Sequence, residues 1–139
     1  CVNENNFDKS VMVLGWAFKK DTNDTRESAA IYVANNLLNE GISIDIYDPK
    51  VNASQIKSDL LLLNPNIDIS KINIIDDPNS NLKKSNIIAI LTEWDEFKYY
   101  NWEEIYDKMS KPAYVFDGRN ILDKSKLESI GFNYIGLGR

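Results

Sequence analysis

The sequence has no histidine and a single cysteine. A triad that moves protons through an imidazole is therefore impossible within this chain. With neither histidine nor a cysteine cluster, it also lacks the usual ligand set of a zinc centre, and no metal site is expected. One cysteine cannot build an internal disulfide framework. It fits a reducing compartment, so a cytoplasmic location is expected. Long apolar runs are missing too: none approaches the roughly 20 residues that span a bilayer, and no secretory leader pattern is visible. Positive charge is in deficit, with 16 Lys and Arg against 21 Asp and Glu, a net charge of −5 and a pI near 4.7. That balance argues against nucleic acid or an acidic membrane surface as a partner. Glycine is scarce at the one place where a nucleotide fingerprint needs it. The loop after the first apolar run contains only Gly15, which excludes both a Walker A sequence and G-x-G-x-x-G.

The residues that are present read as one globular domain. The 139 residues are 43% hydrophobic and 27% charged, enough for a core of their own. Residues 1–9 carry no period and are expected to be a linker or the end of a preceding helix, and the start at Cys1 rather than Met suggests a piece of a longer protein. Val11 to Leu14 is a short continuous apolar run, of the kind a strand buried on both faces shows. Ser28 to Glu40 has apolar residues at helical spacing, with Thr25 or Ser28 as its N-cap and Gly41 at its end. Strands are expected at Ile42–Tyr47, Lys71–Ile75, Asn86–Leu91, Ala113–Phe116 and Phe132–Ile135. Helices are expected at Ala53–Leu63, around Asn79–Lys84, over 95–110 and at Lys124–Ile130. The helix over 95–110 is rich in aromatics, which reads as core or interface rather than a cofactor box. Strands and helices alternate throughout. The fold class is therefore α/β: a three-layer Rossmann-like parallel sheet with helices on both faces, in a single domain.

Such a fold binds ligands at the carboxyl ends of its strands. The loop from Gly15 to Ser28 lies there, carries Lys19, Lys20 and Arg26, and leads into a helix N-terminus, a natural anion site. Two readings stay open: an anion site, or a solvated basic loop in which Asp24 and Glu27 pair locally. The chain has three arginines. Two of them, Arg26 and Arg119, follow carboxyl ends of strands and would share one rim with Lys19. A diphosphate fits several cationic donors better than a carboxylate would. The alternative for Arg119 is a pair with Asp117, Asp123 or another nearby acid. Asp48, at the end of the second strand, has either a ribose-binding role or a turn or capping role before Pro49.

Four stretches carry a resemblance. Gly15-Trp16-Ala17-Phe18-Lys19 with Asp24-Thr25-Arg26-Glu27-Ser28 is similar to the G-x-A-F-K … D-T-R-E-S pattern that opens the C-terminal, UDP-binding domain of UDP-glucose 6-dehydrogenases. These enzymes form part of the UDP-glucose/GDP-mannose dehydrogenase family. Ile46 to Val51, Leu91 to Phe97 and Val115 to Asn120 resemble three further motifs of that family in the same order, and together the matches cover about residues 11 to 135. GDP-mannose and UDP-N-acetyl-sugar dehydrogenases are similar in the first motif, but commonly have Leu in place of Thr25 and Pro in place of Ala29. Trp16 departs from the common pattern, where a smaller or different apolar residue is usual, and should affect packing rather than substrate class.

The resemblance implies that residues 10–139 form the UDP-binding domain. Phe18, Lys19 and Arg119 would bind the nucleotide-sugar, and Arg26 would lie toward NAD. Thr92 and Glu93 would only support them, and Asp24 and Glu27 would order the loop. It implies no catalytic residue here, because NAD is bound mainly by an N-terminal domain and the nucleophilic cysteine lies in a central one. Cys1 has no expected role. The reaction implied is the two-step NAD-dependent oxidation of UDP-glucose, a step toward polysaccharides, by a homo-oligomer. Its contacts lie largely in the central domain, so this piece alone is expected to be monomeric, and without the NAD domain and the nucleophilic cysteine it is expected to be inactive. The alternatives are a related UDP-N-acetyl-sugar or GDP-mannose dehydrogenase, or a non-catalytic α/β binding module.

Overall fold

The computed structural model describes residues 10–138. The expectations for residues 1–9, Cys1 included, lie outside the described residues. Six strands form one sheet: β1 (Ser10–Leu14), β2 (Ser43–Tyr47), β3 (Ile72–Ile74), β4 (Ser85–Ile90), β5 (Tyr114–Asp117) and β6 (Asn133–Gly136). Their order is β3-β2-β1-β4-β5-β6 and every neighbouring pair is parallel. The helices are α1 (Ala29–Asn39), α2 (Ala53–Leu63), α3 (Asp95–Lys98), α4 (Trp102–Lys108) and α5 (Lys124–Ile130), with 3₁₀ turns at Ile69–Lys71 and Pro78–Lys84. Strand order reverses between β1 and β4. Right-handed crossovers therefore place α1 and α2 on one face, and α4 and α5 on the other.

Central position explains the apolar runs. All five residues of β1 are buried, because a strand paired on both sides and covered on both faces has no solvent side for a polar residue. Ile44 and Ile46 of β2, Ile56 and Leu60 of α2, and Ile88 and Ile90 of β4 are fully buried around it. The small residues Ala30 and Ala34 are wholly buried and bring α1 close to the sheet. Of the two candidate caps for α1, Ser28 is the one used: its Oγ accepts the N–H of Ala30 at 3.3 Å.

The aromatic segment is not one helix. It breaks at Tyr99–Asn101 because Asn101 caps a new helix, its side chain accepting the Glu104 N–H at 3.1 Å. Trp102 then folds back and donates its indole N–H to Phe97 O at 3.0 Å. The rings form a chain from Tyr47 through Phe97, Tyr100 and Trp102 to Phe132, which is the core role expected of them. Trp16 is also packing: it is fully buried, and its indole N–H reaches Asp59 Oδ2 of α2 at 2.9 Å.

The β1 exit is tightly constrained. Gly15 N–H donates to Tyr47 O at 2.8 Å, and Leu91 N–H donates to Leu14 O at 2.9 Å, so the chains leaving β1, β2 and β4 stay locked together beyond the strands. Gly15 has φ +100° and a Cβ there would lie 2.5 Å from Thr92. Gly41 has φ +80° but open space around it. Gly15→Ala combines strain with a backbone clash and is expected to lower unfolding free energy by about 3 kcal/mol or more. Gly41→Ala carries strain alone and should cost about 1–2 kcal/mol. Denaturant unfolding of the two variants checks the difference.

Candidate functional site

The rim at the carboxyl ends of the strands is assembled by two buried carboxylates. Asp48 Oδ2 accepts the backbone N–H of Trp16 at 2.7 Å, that of Ala17 at 2.9 Å and the indole N–H of Trp94 at 3.1 Å. Its Oδ1 accepts the N–H groups of Lys50 at 2.8 Å and Val51 at 3.1 Å. One side chain thus fixes the exits of β1, β2 and β4. Both oxygens are spent on internal donors, so the turn and capping reading of Asp48 holds and no lone pair is directed at a ribose. Asp117 does the same work at the β5 exit. Its Oδ2 accepts Leu122 N–H and Tyr134 O–H, both at 2.8 Å, and its Oδ1 accepts Arg119 N–H at 3.2 Å.

Hydroxyls and carbonyls complete the loop after β1. Ser28 Oγ donates to Trp16 O at 2.7 Å and Thr92 Oγ donates to Ala17 O at 2.7 Å. Phe18 N–H donates to Asp24 O at 2.7 Å. This ordering holds Phe18 half out of the surface, 41% exposed. Its carbonyl is the acceptor for Arg119 Nη2 at 2.8 Å, a contact between residues 101 positions apart. Arg119 Nε donates to Leu91 O at 3.1 Å, and Nη1 lies 3.2 Å from Glu93 Oε1. The structure therefore joins Phe18 to Arg119 directly, and Lys19 is the next residue along. Lys19 is exposed and its ammonium has no hydrogen bond or ion pair among the described residues. The acid that pairs with Arg119 is Glu93, a residue sequence reasoning had given only a supporting part.

Arg26 behaves differently. It grips Asp24 with two bonds, Nε to Oδ1 at 3.0 Å and Nη2 to Oδ2 at 2.8 Å, and its side chain is 87% exposed. The local pairing foreseen for Asp24 is thus present. These hydrogen bonds are the main reason the Asp24 carboxyl is pushed down to about 2, with the charges of Arg26 and Lys19 adding to the effect. Among the described residues Arg26 makes no hydrogen bond to Phe18; its bonds go to Asp24.

A second cluster lies beside the rim. Tyr47 and Tyr100 both donate their hydroxyls to Glu96 Oε2, at 2.9 and 2.5 Å. Burial first, and then Glu96, pushes the Tyr47 hydroxyl up to about 12 and that of Tyr100 higher still. Both remain protonated at neutral pH and neither serves as a base. Among the described residues no group of three His, Cys, Asp or Glu is placed to hold a metal ion. What the rim offers is cationic donors fixed beside a half-exposed aromatic ring, which is binding chemistry.

Residues 12–124 match the family model described as "UDP-glucose/GDP-mannose dehydrogenase family, UDP binding domain". Curated relatives include the UDP-glucose 6-dehydrogenase of Drosophila melanogaster, 46% identical over 138 residues, which cover 95% of this chain and 29% of that protein. The UDP-glucose 6-dehydrogenase of Caenorhabditis elegans is 42% identical over 132 residues, covering 94% of this chain and 27% of that protein. The chain thus spans less than a third of the curated relatives it matches. Among solved structures, the UDP-D-ManNAc dehydrogenase of Pyrococcus horikoshii superimposes with a TM-score of 0.72 at 28% identity, over 99% of this chain and 27% of that one. The UDP-glucose dehydrogenase of Pyrobaculum islandicum gives 0.65 at 25% identity, over 93% of this chain and 25% of that one.

Two measurements test the construction of the rim. Asp48→Ala leaves five donors without their acceptor and is expected to cost about 3 kcal/mol or more in denaturant unfolding. Asp24 is expected to titrate near 2 by NMR, and Arg26→Ala should bring it back toward an ordinary carboxyl value. The sign follows from the depressed folded-state pKa: the Asp24–Arg26 clamp is intact at neutral pH and is lost as pH falls below about 4 toward 2.

Proposed function

This chain belongs to the UDP-glucose/GDP-mannose dehydrogenase family, as its UDP-binding domain, and from that premise we propose that it holds the UDP part of UDP-glucose in an NAD-dependent UDP-glucose 6-dehydrogenase. The observation that carries this reading is the state of Arg119. Of its five N–H donors, two are occupied by Leu91 O and Phe18 O, and Nη1 faces Glu93 Oε1 at 3.2 Å without an aligned hydrogen bond, which leaves N–H groups on both terminal nitrogens for a ligand. The ammonium of Lys19, without a hydrogen bond or ion pair among the described residues, follows Phe18 on the same loop. A pinned bidentate donor and a free point charge suit a diphosphate. The exposed ring of Phe18 offers apolar surface beside it.

The uridine and glucose assignments rest on the named relatives. NAD is assigned to another part of the longer protein. The residues here do not make a dinucleotide site: Gly15 is the loop's only glycine, and both oxygens of Asp48 are already used. The motif resemblance assigns Arg26 to the side of that cofactor, a role its exposed guanidinium allows. Binding energy from the remote nucleotide would position the reacting sugar carbon, which the rest of the enzyme oxidises. The enzyme is a cytoplasmic homo-oligomer in this reading, consistent with one cysteine in the chain. The chain alone produces no NADH from UDP-glucose.

Calorimetric titration with UDP, GDP and UDP-glucose tests the proposal. The expected result is binding of UDP and not GDP, weakened at least about tenfold by Lys19→Ala or by Arg119→Ala. The same variants in the longer enzyme should raise KM for UDP-glucose. Wild-type KM in both variants would overturn the site assignment, and NADH production by the chain alone would overturn its role as a binding domain only.

A further inference from the structure

Glu93 poses a physical problem. Its Oε1 is buried and receives no aligned hydrogen bond among the described residues, while Arg119 Nη1 stands 3.2 Å away. A buried carboxylate oxygen without a hydrogen bond is costly and needs a reason. Stability does not supply one, because the two side chains are 29% and 34% exposed and ion pairs of that kind contribute little. The surroundings of Arg119 do supply one. Its Nε and Nη2 are held by two neutral carbonyls, Leu91 O and Phe18 O. Its remaining terminus, Nη1, meets only Glu93. Leu91 and Glu93 lie on the loop after β4, and Phe18 lies on the loop after β1. The guanidinium, which comes from the loop after β5, is clamped between them. A guanidinium is planar and rigid, so two hydrogen bonds and one ion-pair contact, one at each nitrogen, fix both its plane and the direction of its unbonded terminal N–H groups.

We infer that Glu93 is the positioning residue for Arg119: through the ion pair at Nη1 it holds the guanidinium in the roll that presents its terminal N–H groups to a diphosphate, and it does not itself touch the ligand. The inference rests on the proposal that Arg119 binds the diphosphate of the nucleotide-sugar. It also makes a prediction that charge alone would not. Glu93 is an anion beside an anion site, so simple electrostatics says that removing it should tighten diphosphate binding. An anchoring role says that removing it should loosen binding, since a donor that must be re-ordered loses its advantage of preorganisation.

The test is UDP affinity and KM for UDP-glucose in the longer enzyme carrying Glu93→Ala, Glu93→Gln, Arg119→Ala or the Glu93→Ala/Arg119→Ala pair. Gln keeps a carbonyl oxygen that can accept from Nη1 and lacks the charge. The expected result is roughly tenfold weaker UDP binding and a raised KM in Glu93→Ala, with affinity restored to wild type or better in Glu93→Gln. In the background of Arg119→Ala, removing Glu93 should cause no further loss. Tighter binding in both single Glu93 variants would show a counter-charge rather than an anchor. Unchanged affinity with an equal fall in thermal midpoint in both would show a role in folding only. Either result overturns the inference while leaving Arg119 as a ligand donor. Wild-type affinity in Arg119→Ala would instead overturn the site reading beneath it.

Discussion

Three backbone segments leave the sheet side by side at the point where strand order reverses; the N–H groups of Gly15 and Leu91 still reach strand carbonyls, but those of Trp16 and Ala17, and of Lys50 and Val51, do not. Asp48 supplies the missing acceptor. Its two oxygens take the N–H groups of Trp16 and Ala17 on one side, those of Lys50 and Val51 on the other, and the indole of Trp94 between them. A carboxylate offers about four lone-pair sites on two oxygens, more than any other short side chain, and here five donors share them. It is 9% exposed, so each bond is made where water competes weakly. The path of the β1 loop, the seat of Thr92 against Ala17 O and the direction of the Phe18 carbonyl all follow from this junction.

Function enters where the junction meets Arg119. Residues 18 and 119 are brought together because β1 and β5 flank β4 in the sheet, and because Asp117 turns the chain sharply after β5. The guanidinium is thereby attached to carbonyls that are themselves immobilised by Asp48 and Thr92. Its order is inherited from the core rather than from its own flexible stem. The rim presents the cationic side chains of Lys19 and Arg119 although the chain is acidic overall, because the oxygens of nearby acids are turned to internal donors: Asp48 and Asp117 to backbone, Asp24 to Arg26, Glu96 to two tyrosines. The steering charge comes from placement, not from net charge.

Much of this was legible in the residues. Strands buried on both faces leave unbroken apolar runs, and Val11–Leu14 and Asn86–Leu91 showed them; the ladders begin a residue earlier at Ser10 and Ser85 because polar residues there still pair. The rim itself could be inferred, since Lys19, Arg26 and Arg119 all follow strand ends. What stayed hidden depended on side-chain direction. Nothing in the spacing distinguishes Arg26, which turns back onto Asp24 two residues away, from Arg119, which reaches across to Phe18 and Glu93. The break in the aromatic segment was missed because apolar periodicity runs through it, while the signal that decides it is one capping side chain, Asn101. Asp48 next to Pro49 suggested a turn, but a fivefold junction is a tertiary fact: two of its donors, Trp16 N–H and Trp94 Nε1, lie 32 and 46 residues away.

On the proposed function, this rim is where the described residues receive a diphosphate. Amide chemical-shift mapping of the chain during titration with UDP tests that most directly, because it reads every loop at once. Shifts concentrated at residues 16–20, 92–93 and 118–120 are the predicted result. Shifts concentrated instead at the opposite end of the sheet, in the polar cavity of about 280 Å³ lined by Asp45, Lys71, Asn81 and Lys84, would contradict it.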